Sequence, residues 1–261
     1  MTFELLVAAV NADIDNLPQK MNISTDAIIA NQCGEDREFK LSVNGCELHV
    51  INSDKRGVGL NRNTALYASN ADICLFSDED LVYEEDYEKK VLAAFEKHKD
   101  ASLIAFNFIV DPRRRTYYNE EPHEIKWNNY GRYPAYALAI KRKDIVDKGI
   151  KYSELFGGGA KYSNGEDSLF LHDCLKAGIK MYAETDVLGR EEYRESTWFR
   201  GFTDKFFFDR GVLYHFLYGK LSYVFGLRFL VKNRKEMLKD TSLLKAYGLL
   251  CRGIKEGKTL C

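Results

Sequence analysis

The stretch Ala71-Asp72-Ile73-Cys74-Leu75-Phe76-Ser77-Asp78-Glu79-Asp80 is apolar from Ile73 to Phe76 and then ends in three carboxylates. A short apolar run bounded by turn formers reads as a buried strand. Like charges clustered at the end of such a strand repel one another and lose hydration. A bound cation reverses that cost, and carboxylate oxygens are hard ligands suited to Mg2+ or Mn2+. Ligands of open α/β sheets sit at the carboxyl ends of strands, so Asp78-Glu79-Asp80 is a D-x-D where a metal-diphosphate site belongs. Taken alone, the tripeptide is equally well an acidic loop leading into a helix that starts near Glu84.

Upstream, Phe3 to Val10, Asp26 to Ala30 and Glu47 to Asn52 read as strands, and a helix runs from about Leu60 to Ser69. Downstream, Glu84 to His98 has helical periodicity, with Val91, Leu92 and Phe95 on one face, and Ser102 to Val110 is another strand. This alternation predicts a mostly parallel α/β sheet flanked by helices. The segment 111–133, with Arg113-Arg114-Arg115 and several aromatics, has no clear period; a loop of that length in a compact domain is usually functional, and its aromatics argue against disorder. Pro134 to Lys141 returns to strand, Arg142 to Lys148 reads as helix, and Gly157-Gly158-Gly159 as a flexible turn. Glu166 to Ala177 is an amphipathic helix capped by Gly178, and Lys180 to Glu184 is the last expected strand.

The chain of 261 residues fits one large α/β domain or a domain with an appendage. Its net charge of -1 conceals an asymmetry: from Arg200 to Cys261 there are 13 Lys and Arg against 5 Asp and Glu. In the same region Trp198, Phe199, Phe202, Phe206, Phe207, Phe208, Tyr214 and further aromatics crowd together, and Leu221 to Lys258 reads as two basic amphipathic helices. A basic tail on an acidic body suits anionic partners. The six cysteines form no C-x-x-C, which reads as reduced thiols in a cytosolic protein. The start, Met1-Thr2-Phe3-Glu4, lacks a basic n-region, so Leu5 to Val10 reads as a strand and not a signal peptide. No uninterrupted apolar stretch is long enough to span a bilayer.

Asn164-Gly165-Glu166-Asp167 forms a second acidic cluster at a predicted helix N-terminus. Acids there favour the helix dipole, and a carboxylate in a cleft can also take a proton from a hydroxyl; the D-x-D far upstream tips the balance toward a base. Arg62 is either an ordinary surface arginine or a residue facing a base or diphosphate. The histidines show no metal-ligand spacing, and no Ser-His-Asp order, Walker A or G-x-G-x-x-G occurs.

Gly57-Val58-Gly59-Leu60-Asn61-Arg62-Asn63-Thr64-Ala65, Phe76-Ser77-Asp78-Glu79-Asp80, Gly158-Gly159 and Gly165-Glu166-Asp167 occur in an order and spacing that resemble the family-2 glycosyltransferases. The resemblance covers roughly Phe3 to Trp198 and implies the GT-A fold. It divides the chain into a nucleotide-binding half over about 1–110, an acceptor half over about 111–197 and a basic aromatic helical extension over 198–261. It also implies that Asp80 binds Mn2+ or Mg2+, with Asp78 at the metal or ribose and Glu79 beside them at the nucleotide. Asp167 would be the acceptor base with Glu166 next to it, Arg62 would approach the base or diphosphate, and Ala9, Asn11 and Asn31 would border the nucleotide. Two departures stand out. Asn31-Gln32 replaces the acidic residue usual after the second strand, which bears on uracil specificity. Glu191 stands in the region where many members carry a histidine metal ligand.

The expected activity is that of an inverting glycosyltransferase. It would move a sugar from a nucleotide-diphosphate sugar, UDP-linked by preference, to a saccharide or lipid-linked hydroxyl in surface polysaccharide or glycoconjugate synthesis. The expected location is cytoplasmic, with the tail holding the enzyme peripherally on anionic lipid of the inner membrane face. The competing reading of the tail is that its aromatics pack on the catalytic domain or form a homodimer interface. The rival from another class is a GT-A-fold binding or regulatory protein without turnover. A nucleic-acid binder would leave the acidic motifs without a role.

Overall fold

The computed structural model describes residues 1–113, 115–192 and 201–260. In chain order the strands are β1 (Phe3–Val10), β2 (Ala27–Gln32), β3 (Arg37–Val43), β4 (Cys46–Ser53), β5 (Ile73–Asp78), β6 (Leu81–Tyr83), β7 (Leu103–Ile109), β8 (His123–Glu124), β9 (Leu138–Lys141) and β10 (Met181–Glu191). The helices are α1 (Leu17–Lys20), α2 (Val58–Ala68), α3 (Tyr87–Lys97), α4 (Arg142–Val146), α5 (Glu166–Lys176), α6 (Asp204–Tyr218), α7 (Ser222–Lys232), α8 (Arg234–Met237) and α9 (Leu243–Thr259).

One sheet has the order β3-β4-β2-β1-β5-β9-β7-β10-β6, with β8 paired to β10. Strands β4, β2, β1 and β5 are parallel; β9 inserts antiparallel between β5 and β7. A parallel sheet covered on both faces needs apolar side chains at successive positions. In β1, Leu5 and Val7 join one core with Leu75, Val91 and Phe95, while Leu6 joins the other with Phe76, Leu66 and Phe170. Helix α3 covers the first face, and α2 and α5 cover the second.

The structure adds elements to the sequence reading. Strand β3 is a half-exposed edge strand joined to β4 through Asn44 and Gly45, both at positive φ. Phe39, Leu41 and Val43 alternate with Glu38, Lys40 and Ser42, and Asn-Gly is a common two-residue hairpin signal, so the hairpin was readable from its turn and its period. Strand β10 continues to Glu191, well past Glu184, through two register shifts against β7. Segment 111–133 is irregular apart from β8 and a 3-10 turn at Tyr130–Arg132, and it is held down by buried Tyr117, Ile125, Tyr130 and Tyr133. Arg114 lies outside the described residues, as do Trp198, Phe199 and the expected 197/198 boundary. The cysteines at 33, 46, 74, 174 and 251 are free thiols.

After residue 200 the chain forms α6 to α9. Helices α6 and α9 cross with backbones nearly touching: a Cβ at Gly253 would lie 1.9 Å from the Phe208 carbonyl oxygen, and one at Gly211 2.1 Å from that of Leu250. Their N-caps are Thr203, whose hydroxyl accepts from Phe206 N, and Ser242, whose hydroxyl accepts from Lys245 N; such caps contribute about 1 kcal/mol each. The aromatics of the tail are largely inward. Phe206 and Phe207 pack among the helices, and Val212, Leu213 and Tyr214 pack on Phe156, Tyr162 and Leu169 of the α/β layer. No helix among the described residues is long and apolar enough to cross a membrane.

Candidate active site

The cleft opens where β1, β2 and β5 end and α2 and α5 begin. It is a cavity of about 370 Å3, lined by Gln32, Arg62, Asp78, Asp80, Tyr136, Asp167 and Glu191 among others. Helix α2 starts at Gly57, whose carbonyl accepts from Gln32 Nε2 at 2.8 Å while its N–H donates to Gln32 Oε1 at 3.3 Å. Val58 N donates to the Gly158 carbonyl at 2.8 Å, which brings the triple-glycine turn over the helix start. Three consecutive polar residues of α2 are buried, each for a visible reason. Asn61 donates to the Ala9 carbonyl at 3.1 Å, and Asn63 exchanges two hydrogen bonds with the Tyr152 backbone at 2.9 and 2.8 Å.

Arg62, between them, is 5% exposed. Its Nη2 donates to Asp78 Oδ1 at 3.0 Å; its Nη1 donates to Asp167 Oδ1 at 2.9 Å and to Glu166 Oε1 at 3.4 Å. The guanidinium also lies over the Tyr152 ring, 5.3 Å from its centroid. One cation thus ties the D-x-D to the acids of α5. Burial works against its charge, but Asp78 and Asp167 outweigh that and raise its pKa above the ordinary value. Arg62 is therefore not a surface arginine.

Asp167 sits in the first turn of α5 behind Gly165, which has φ +121 and lies so close to Leu213 of α6 that a Cβ would approach that side chain to 2.6 Å. Burial pushes the Asp167 carboxyl up to about 7; Arg62 opposes the shift, and Glu166 and Asp78 add to it. Tyr136 stands among the acids: burial first, then Glu191, Asp78, Asp167 and Asp80, raise its hydroxyl pKa. Glu79 turns back to the sheet and accepts from Val10 N at 3.0 Å.

Asp78, Glu79, Asp80, Arg62, Glu166 and Asp167 thus share one cleft. Ala9, Asn11 and Asn31 do not line it, whereas Ala8, Val10 and Gln32 do. The reason is strand parity: neighbours on a strand face opposite ways. Ala9 packs into the core under the sheet, and Asn31 is spent on Asn52 and on the Ala12 backbone N–H. Asn11 lies one residue past β1 at φ 51. Tyr136 gave no signal in the sequence, since it follows Pro134 in a segment read as plain strand.

No group of three or more metal-capable side chains converges among the described residues, and Asp78 is engaged by Arg62. Asp80 and Glu191 both face the cavity. Mg2+ is usually held by one or two carboxylates, with substrate phosphates and water completing its shell, so these residues fit a metal that arrives with a diphosphate.

Residues 28–149, a little under half of the chain, match the family model described as glycosyl transferase family 2. Two solved structures of residues 1–349 of S. aureus TarS superpose on it. One has a TM-score of 0.63 at 15% identity over 98% of this chain and 82% of that one. The other, in complex with UDP-GlcNAc, has 0.61 at 15% over 92% and 74%. Against a longer TarS structure the chain covers 92% of itself but 44% of that chain, with a TM-score of 0.59 at 14% identity. At such identity the likeness is one of fold. No curated protein matches the sequence. The superpositions show a GT-A architecture, and the family match over 28–149 points the same way. The match over residues 28–149 is one of similarity to the family-2 model.

Removing one partner of a buried ion pair costs about 3–5 kcal/mol, so Arg62→Met should lower Tm sharply without added metal. Asp167 would also lose the cation that opposes its upward shift. Its folded pKa would stand still further above an unfolded value of about 3.9, a penalty that grows as pH rises above that value. The loss of Tm relative to the parent should therefore be larger at pH 8 than at pH 5, as read by thermal melts in EDTA.

Proposed function

We propose that this glycosyltransferase takes its sugar from a nucleotide-diphosphate sugar, UDP-linked by preference, and passes it with inversion to a hydroxyl of a saccharide or lipid-linked acceptor in surface polysaccharide or glycoconjugate synthesis. The observation that carries this reading is that Asp167 faces the same cavity as Asp78 and Asp80, with Arg62 bridging them. The UDP-GlcNAc complex of TarS, a protein of the same fold, supports the choice of donor.

Asp80 and Glu191 would hold Mn2+ or Mg2+, which when bound neutralises charge on the leaving diphosphate. Asp167 accepts the proton of the acceptor hydroxyl as its oxygen bonds to the anomeric carbon. The bond from that carbon to the diphosphate oxygen breaks, and the electron pair leaves with the nucleotide. A carboxyl raised by burial is a better base than a free one near neutral pH. Arg62 holds it aimed and opposes its protonation. Tyr136 and Glu166 border the reacting centre.

The exposed surface of α7 bears on location. Leu221, Val224, Leu227 and Val231 are 58%, 65%, 42% and 45% exposed and lie on one face, with Lys220, Arg228, Lys232 and Lys235 exposed around them. Aliphatic residues ringed by cations suit an anionic bilayer surface, where each cation contributes about 1 kcal/mol. This aliphatic face, and not the aromatics, is the part of the tail proposed to sit on the inner leaflet of the cell membrane.

Asp80→Asn should abolish Mn2+-dependent UDP binding at unchanged Tm; parental binding by calorimetry would remove Asp80 from the metal site. Asp167→Asn should bind UDP normally and lose transfer by about 10²–10⁴-fold, and parental transfer should climb as pH passes about 7, where the carboxylate form takes over. A near-parental rate in Asp167→Asn would make that acid a helix-terminal residue only. In flotation with anionic liposomes at low salt, the protein should rise and a Val224→Asp/Leu227→Asp variant should stay down. Equal behaviour of the two would sink the membrane assignment.

A further inference from the structure

Beyond Asp167 the cleft continues and its charge reverses. A second cavity of about 260 Å3 shares Asn164, Glu166 and Asp167 with the first and is lined on its far side by Arg210 and Arg132, neither of which reaches the first cavity. Arg210, on α6, has a buried Nε with no hydrogen-bond partner. Its guanidinium lies over the rings of Phe206 and Phe229, 5.3 and 5.1 Å from their centroids. Burial lowers its pKa, opposed only by the hydroxyls of Tyr214 and Tyr218. The adjacent acid, Asp209, is engaged elsewhere: it accepts from Ser163 N at 2.9 Å, from Ser163 Oγ at 2.8 Å and from Lys205 Nζ at 2.5 Å. Glu166 and Asp167 are held by Arg62. Arg132 is exposed, lies over Tyr133 and touches His123 Nε2 at 3.2 Å; no carboxylate pairs with it or with Arg210 among the described residues. Thr116 Oγ1 donates to the Arg132 carbonyl at 2.8 Å and fixes the backbone there.

A desolvated guanidinium without a counter-charge is unfavourable unless a ligand supplies one. Two guanidinium groups on one small cavity suit an oxyanion, and a doubly charged phosphate better than a carboxylate, because guanidinium forks match phosphate oxygens. We propose that Arg210 and Arg132 bind a phosphoryl group of the acceptor, placing its hydroxyl at Asp167. This rests on the glycosyltransferase reading of the cleft. The donor diphosphate belongs on the other side of Asp167, at the acidic end, which repels phosphate when no metal is present.

The test is a titration of inorganic phosphate, in EDTA at constant ionic strength, followed by thermal shift. The parent should be stabilised, Arg210→Gln should need at least tenfold more phosphate, and Arg210→Lys should recover part of the response. Arg132→Gln, at an exposed position that leaves the fold intact, should weaken binding several-fold. Equal responses from all four proteins, or none from the parent, would overturn the site. Once inorganic phosphate binds, glycerol 3-phosphate binding equally well would assign a soluble or polymeric phosphate, and tighter binding to vesicles carrying a polyprenyl phosphate than to glycerol 3-phosphate would assign a lipid-linked one; in both cases the loss in Arg210→Gln supports the site. UDP with Mn2+ on the parent is judged separately. Its failure to bind would remove the donor reading, while the phosphate titration still decides for or against Arg210.

Discussion

The ion pairs of Arg62 are the constraint on which the cleft depends. Four ionisable groups, from β5, α2 and α5, meet around one buried guanidinium. Three of them are acids whose mutual repulsion would otherwise push the strand end and the helix start apart. A buried ion pair is weak support for stability as such, but here the alternative is three uncompensated carboxylates. The arrangement also fixes geometry: Asp78 and Asp167 are held to one guanidinium at a set separation in the same cavity.

Everything around Arg62 serves to hold α2 in place. Gln32 brackets Gly57, Asn61 reaches β1, and Asn63 seals the 152 backbone. Gly59 lets that backbone approach, since a Cβ there would fall 2.1 Å from the Ser153 carbonyl oxygen. The C-terminal helices act on the same site from outside. Leu213 packs on Gly165, and Asp209 anchors Ser163, so α6 fixes the loop that delivers Glu166 and Asp167. The extension thus lines the cavity beside Asp167, to which it contributes Arg210.

Much of the fold was legible because its strands are apolar runs and its helices periodic. The D-x-D was legible because clustered charge at the end of an apolar strand is anomalous, and Glu166-Asp167 only in combination with it, since acids in a first helical turn are ordinary. Ala8, Val10 and Gln32 line the cavity and Ala9 and Asn31 do not, because only strand register says which of two neighbours faces it. Strand β3 was legible in principle from the alternation of Phe39, Leu41 and Val43 and the Asn44-Gly45 turn, although the sequence reading omits it. The length of β10, and with it the delivery of Glu191, depends on register shifts that pairing with β7 creates.

The sequence by itself determined an α/β sheet with carboxylates at its ligand-binding edge, a base candidate on a later helix and a basic helical tail, because periodicity and clustered charge are local properties. Only the tertiary structure decided that Arg62 is buried between the two acidic motifs, that Tyr136 stands among them, that the described aromatics of the tail turn largely inward and that Arg210 lines the cavity beside Asp167. Each of these depends on residues far apart in the chain being brought within hydrogen-bond or packing distance, where burial changes the energy of a charge far more than its neighbours in sequence do.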